Sequence, residues 1–163
     1  MKIAKIYVDM DGVLCNFEKR YTERYGELTD KSRRTTFRSN FDDFIKTKQF
    51  ETLDPMPDFD HLVTFLNSLD IPKEILSSTA YDEVYDDISA QKRVWLKEHS
   101  IKWPANFVPG KRHKYKFATP NSIIIDDTYS VIEDWEKAGG IAIWHKSAAY
   151  TIIELASHLT AAK

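Results

Sequence analysis

The chain has 163 residues, 42% of them hydrophobic, a size that suits one domain with a real core and at most a small insertion. Its net charge of −2 excludes a global basic field for polymeric nucleic acid, although a few local cations suffice to hold one phosphate. Cys15 is the only cysteine, which excludes an intramolecular disulfide and fits a reducing cytoplasm. The leading MKIAKIYV is too short for a signal peptide, and no apolar run nears the ~20 residues of a membrane span.

In chain order, Ile3 to Val8 is predicted as a buried strand that ends in Asp9-Met10-Asp11-Gly12. Residues 17–68 are rich in charge and aromatics. Phe17, Tyr21 and Tyr25 have helical spacing, as do Phe37, Phe41 and Phe44 on a helix expected over about 31–48. Asp54-Pro55-Met56-Pro57 is a stiff break before a helix at about 58–68. After Pro72 the pattern becomes regular. Glu74 to Leu76 is a strand ending in Ser77-Ser78-Thr79, and Tyr85 to His99 is a helix. Asn106 to Val108 and Ser122 to Ile125 are strands, the second ending in Asp126-Asp127. A helix over 130–138 stops at Gly139-Gly140, and a strand over 141–144 and a helix over 151–159 follow.

Strands alternating with helices predict an α/β fold, a Rossmann-like parallel sheet with helices on both faces. The long gap after the first strand predicts a small helical cap. The expected division is a core of residues 1–17 and 70–163 around a cap of residues 18–69. In such sheets ligands sit beyond the carboxyl ends of the strands. Three strands here end in polar clusters, Asp9/Asp11, Ser77/Ser78 and Asp126/Asp127, which would meet on one edge.

Residues two apart on extended backbone point the same way, so Asp9 and Asp11 repel unless a cation or proton intervenes. A calcium loop of the EF-hand kind does not fit: its fifth, sixth and twelfth positions fall on Val13, Leu14 and Arg20. Asp-Gly also suits an ordinary turn, and Asp127 or Thr128 suits a helix cap. The second acidic pair and the hydroxyl cluster favour a metal site. Magnesium suits such oxygen ligands and retains waters beside one or two carboxylates.

Asp9-Met10-Asp11-Gly12-Val13 after an apolar strand resembles the first motif of the haloacid dehalogenase (HAD) superfamily. Ser77 is similar to its second motif, Lys116 to its third and Asp126-Asp127 to its fourth, together spanning residues 1–17 and about 73–145. The stretches DMDGVLCNF, FETLDPMP, QKRVWLKEH and NSIIIDD resemble the 5′(3′)-deoxyribonucleotidases more closely. Two departures stand out: Ser77-Ser78 replaces Thr-Ser, and Lys114 replaces an arginine two residues before the motif-three lysine.

The resemblance implies a Mg²⁺-dependent phosphomonoesterase for deoxyribonucleoside monophosphates; the alternatives are a phosphatase for another small phosphate ester, such as a sugar phosphate, and a noncatalytic binding protein on the same fold. Asp9 would be the nucleophile and Asp11 the acid and base, with Ser77 and Lys116 contacting the phosphoryl group. Asp9 and Asp127 would bind Mg²⁺ by side chain, Asp11 by its backbone carbonyl and Asp126 through water. Phe17 matches a base-contacting phenylalanine, with Phe50 as a second aromatic, and Ser78 and Lys92 are further substrate contacts. Phe44 reads as cap core, and Arg33, Arg34 and Arg38 read as a solvated face rather than a phosphate site. The implied partner is a small phosphate ester, a deoxynucleotide for choice, with neither polymeric nucleic acid nor membrane; a homodimer is compatible. The histidines lack zinc spacing, Cys15 reads as a small buried residue, and Trp95, Trp135 and Trp144 read as core.

Overall fold

The computed structural model describes residues 1–161. Five parallel strands form one sheet: β1 (Lys5–Val8), β2 (Lys73–Ser78), β3 (Ala105–Val108), β4 (Ser122–Asp126) and β5 (Ile141–Trp144). Their spatial order is β3-β2-β1-β4-β5. The chain therefore winds outward from β1 to β3, then returns to the other side of β1 for β4 and β5. That reversal leaves a crevice between the ends of β1 and β4, where open α/β sheets bind ligands. Val8 lies beside Ile125 in the register, so Asp9 and Asp126, the next residues, emerge at the same level.

Each strand is apolar on both faces, as buried parallel strands are. Ile6, Val8, Ile75, Phe107, Ile123 and Ile143 face one layer. Tyr7, Leu76, Val108 and Ile124 face the other, against Val131, Ile132 and Trp135 of α6 (Tyr129–Lys137). The first layer holds α4 (Phe59–Ser68), α5 (Tyr85–Glu98) and α7 (Ala148–Ala161). The Rossmann-like α/β reading is thus the observed architecture.

Between β1 and α4 come α1 (Phe17–Tyr25), α2 (Asp30–Thr35) and α3 (Phe37–Lys46), then a 3₁₀ turn at Gln49–Thr52. The Asn16 side chain caps α1 by accepting from the Lys19 N–H at 3.2 Å. The helix expected over 31–48 is in fact two. Thr35 and Thr36 turn their hydroxyls back onto the Lys31 and Ser32 carbonyls, a competition that breaks helices at β-branched pairs. α4 packs beside α7, and its Phe59, Leu62 and Leu66 join the apolar cluster against the sheet.

The inserted helices are fastened to α5. The buried Gln91 amide donates to the Ile45 carbonyl at 2.8 Å and its oxygen accepts from the Phe50 N–H at 3.3 Å. The fully buried Trp95 indole donates to the Leu53 carbonyl at 2.8 Å. Trp95→Phe keeps most of the packing but leaves that carbonyl without its partner. It should cost about 1–3 kcal/mol, read as a lower midpoint in urea unfolding with an unchanged slope.

Candidate active site

β1 ends at Val8, and the Asp9 N–H continues the ladder by donating to the Ile125 carbonyl at 3.0 Å. The chain then curls. The Val13, Leu14 and Cys15 N–H groups all donate to the Met10 carbonyl, which throws Asp9 and Asp11 toward the crevice. Gly12 makes this possible: its φ is +83°, and a Cβ there would lie 2.0 Å from a carboxylate oxygen of Asp127. Asp127 therefore occupies space that only a glycine leaves free.

Asp9, Asp126 and Asp127 each offer a carboxylate oxygen within 4.8 Å of the others. The cation among them is Lys114. Its side chain is buried, and Nζ lies 2.9 Å from Asp9 Oδ1 and 2.6 Å from Asp126 Oδ2. The other Asp126 oxygen accepts from the Thr128 N–H at 2.9 Å, so both of its oxygens are engaged within the protein. Lys92 holds Asp11 in a similar way. Its Nζ donates to Asp11 Oδ2 at 2.9 Å, to Ser77 Oγ at 2.7 Å and to the Ser78 carbonyl at 2.8 Å, which uses all three N–H groups. The Cys15 thiol donates to the other Asp11 oxygen at 3.3 Å.

The charges do not balance. Four carboxylates face two ammonium groups, and Asp127 has no ion pair among the described residues. Burial, then the charge of Asp126, pushes the Asp9 carboxyl well above its usual range against the pull of Lys114. The same two causes push Asp127 up to about 6. Burial alone would lower Lys114, but Asp126 and Asp9 outweigh it and hold the ammonium above its ordinary value. The residual charge of about −2 and the exclusively oxygen donors of Asp9 and Asp127 fit a hard divalent cation.

These residues floor a cavity of about 760 Å³. Ser78, Thr79, Thr128 and His145 line it, as do the rings of Phe17, Phe37, Phe41 and Phe50. Phe17 stacks on Phe50 with centroids 5.8 Å apart and planes 15° apart, and meets the fully buried Phe44 at 5.0 Å. Burial lowers the pKa of His145, whose Nδ1 lies 2.7 Å from Thr151 Oγ1.

No protein-family model and no curated protein matches the sequence. Solved structures do match in three dimensions. A hydrolase from Streptococcus pneumoniae TIGR4 is 16% identical, with a TM-score of 0.51 over 98% of this chain and 100% of that one. The D,D-heptose 1,7-bisphosphate phosphatase of Burkholderia thailandensis is 7% identical, with a TM-score of 0.54 over 94% and 99%. YfnB of Bacillus subtilis, described as a HAD-hydrolase and bound to magnesium, is 12% identical, with a TM-score of 0.52 over 98% and 99%. The fold is that of the HAD hydrolases.

On this HAD-type scaffold, Asp9, Asp11, Asp126, Asp127, Ser78, Phe17 and Phe50 lie at or just beneath the crevice. Three expected positions differ. Lys116 is exposed, with Nζ 3.1 Å from His113 Nδ1, whereas Lys114 is the lysine at the acids. The 3₁₀ turn over Lys111–Phe117 explains this, since residues two apart on so tight a turn point in different directions. Ser77 is fully buried, accepting from Lys92, while Ser78 and Thr79 reach the cavity wall. Lys92 also sits behind the wall, with its side chain 1% exposed. Phe37 and Phe41, whose spacing in the sequence shows only a helical stripe, line the cavity. Trp144 is exposed rather than core. It packs on Tyr129 at 4.9 Å and donates to the Asp127 carbonyl at 3.0 Å.

Two outcomes are expected. Lys114→Met leaves Asp9 and Asp126 buried without their cation and should destabilise the fold by about 3–5 kcal/mol, whereas exposed Lys116→Met should stay within about 0.5 kcal/mol; urea melts compare them. A divalent cation must also displace the proton from Asp127. That carboxyl is ionised above pH 6 and protonated below it, so Mg²⁺ affinity should fall roughly tenfold or more from pH 7.5 to 5, measured by calorimetry.

Proposed function

We propose that the protein is a Mg²⁺-dependent phosphomonoesterase acting through an aspartyl-phosphate, with deoxyribonucleoside monophosphates as substrates. The observation that carries this reading is one cavity lined both by carboxylates with Lys114 and by a set of aromatic rings. A phosphate ester joined to a flat apolar leaving group matches both.

Asp9 and Asp127 would hold Mg²⁺, which offsets the repulsion between a carboxylate and a phosphate dianion. Asp9 attacks phosphorus, forming an Asp9–phosphate bond as the ester P–O bond breaks, so one hard displacement becomes two. Asp11 gives its proton to the departing nucleoside oxygen. It then takes a proton from water, which attacks the aspartyl-phosphate and releases inorganic phosphate. Such acid–base help is typically worth ~10²–10⁴-fold. Lys114 keeps its ammonium against Asp9 and limits the charge that builds up on attack. Lys92 and Cys15 fix the Asp11 carboxylate between them. Ser78 and Thr79 border the space where phosphoryl oxygens would lie. Phe17, at the root of α1, lines the same cavity and would stack on the base.

A substrate panel tests the reading. Mg²⁺-dependent phosphate release should be faster from deoxynucleoside monophosphates than from sugar phosphates, and Asp9→Asn should abolish it. Base stacking is worth ~1–3 kcal/mol, so Phe17→Ala should lower kcat/KM for nucleotides roughly 5- to 150-fold while sparing p-nitrophenyl phosphate. Equal losses on both, or no preference for nucleotides in the parent, would defeat the nucleotidase reading and leave the phosphatase intact.

A further inference from the structure

We propose that Arg33 is a specificity-determining residue that grips an oxygen-rich acceptor on the far end of the leaving group; this rests on the phosphomonoesterase reading. Five arginines lie between residues 18 and 69. Four have evident partners. Arg20 donates to Gln49 and to Thr52, and Arg24 to Asp43. Arg34 donates to the Asp30 carbonyl, and Arg38 lies 3.8 Å from Asp42 and over the Tyr81 ring. Among the described residues the Arg33 guanidinium has no hydrogen bond and no ion pair, and it is the one arginine of the five that lines the cavity. Glu18 also lines the cavity but forms no ion pair with it.

The position is right for the far end of a substrate. α1 carries the chain about 13 Å away from the loop that bears Asp11 before Gly26 turns it into α2. Arg33 and Asp9 nevertheless border one continuous cavity. Lys114 and Lys92, nearer the floor, are already committed to carboxylates. A guanidinium offers five donors and no acceptor, in a planar fork suited to paired oxygens. Beside Phe37 and Leu28 it can bind the edge of a ring whose face lies on the aromatic wall. The ligand chemistry is therefore a carbonyl or an anionic oxygen. A keto-edged base such as thymine supplies the first, with O4 where cytosine has an amino donor. A second phosphate supplies the other.

The experiment compares the parent, Arg33→Gln, Arg33→Lys and the adjacent control Arg34→Gln. The substrates are dTMP, dCMP, thymidine 3′,5′-bisphosphate, a sugar bisphosphate with its monophosphate, and p-nitrophenyl phosphate. Arg33→Gln should lower kcat/KM for the acceptor-bearing substrates roughly 10- to 150-fold, the span of a hydrogen bond to a charged group. The loss should appear in KM with kcat nearly unchanged, because the contact is equal in ground and transition states. Arg33→Lys should recover part of the loss on a second phosphate and less on a keto edge, since it keeps charge but not the fork. p-Nitrophenyl phosphate and Arg34→Gln should be unaffected. A selective loss on dTMP over dCMP assigns the keto edge, and a selective loss on bisphosphates assigns the second phosphate. If nucleotides are poor substrates but Arg33→Gln still erases a preference for the sugar bisphosphate, the nucleotidase reading fails and the Arg33 assignment stands. Equal losses on every substrate, or no loss on any, overturn the assignment.

Discussion

The acids at the ends of β1 and β4 depend on the Lys114 ammonium lying between Asp9 and Asp126. Two buried carboxylates on adjacent strand ends would otherwise repel across a medium that screens poorly. Lys114 reaches them from the turn after β3, at one edge of the sheet, and so ties that edge to its centre. A buried ion pair of this kind contributes little net stability compared with apolar packing, because both charges lose water. Its worth lies in geometry. It fixes the Asp9 carboxylate through one oxygen, Oδ1.

The rest of the acidic cluster follows from register and from one glycine. Val8 pairs with Ile125, so the parallel ladder itself delivers Asp9 and Asp126 side by side. Asp127 then turns outward into the space that Gly12 leaves empty. Thr128 and Trp144 hold that turn from two sides, one by its N–H on Asp126 and the other by its indole on the Asp127 carbonyl. Asp11 is positioned independently, by Lys92 from α5 and by Cys15 from its own loop. Two lysines on different elements thus hold three acids, and Asp127 is the one acid of the four left without a lysine.

The sheet was legible because strand signals are strong when both faces are buried. Ile123 to Ile125 and Ile6 to Val8 admit few other readings, and the acidic pairs mark their ends. Which lysine of the turn after β3 meets the acids was not legible in the same way. In KRHKYK every second residue is basic, and which one turns inward depends on the phase of a 3₁₀ turn that composition does not encode. Ser77 against Ser78 is a related case. Alternation says that the two point oppositely, but not which face is already filled by Lys92. Trp144 looked like core because tryptophan usually is; an edge strand leaves its outer face uncovered, and a backbone carbonyl satisfies the indole there.

The aromatic wall has two duties that limit each other. Phe17, Phe41 and Phe50 line the cavity, yet they also pack with Phe44, Tyr21 and the sheet in one apolar cluster. Phe50 is further pinned by Gln91, so this part of the insertion cannot swing away without breaking buried hydrogen bonds and exposing core. α2 is different. It has no buried residue, and it is joined to its neighbours by Gly26 on one side and the Thr35-Thr36 break on the other. Local stability follows burial, so α2 is the segment of the insertion that opens at the smallest free-energy cost. The rings packed into the core fix one side of the cavity, and Arg33 borders it from a helix that buries no residue.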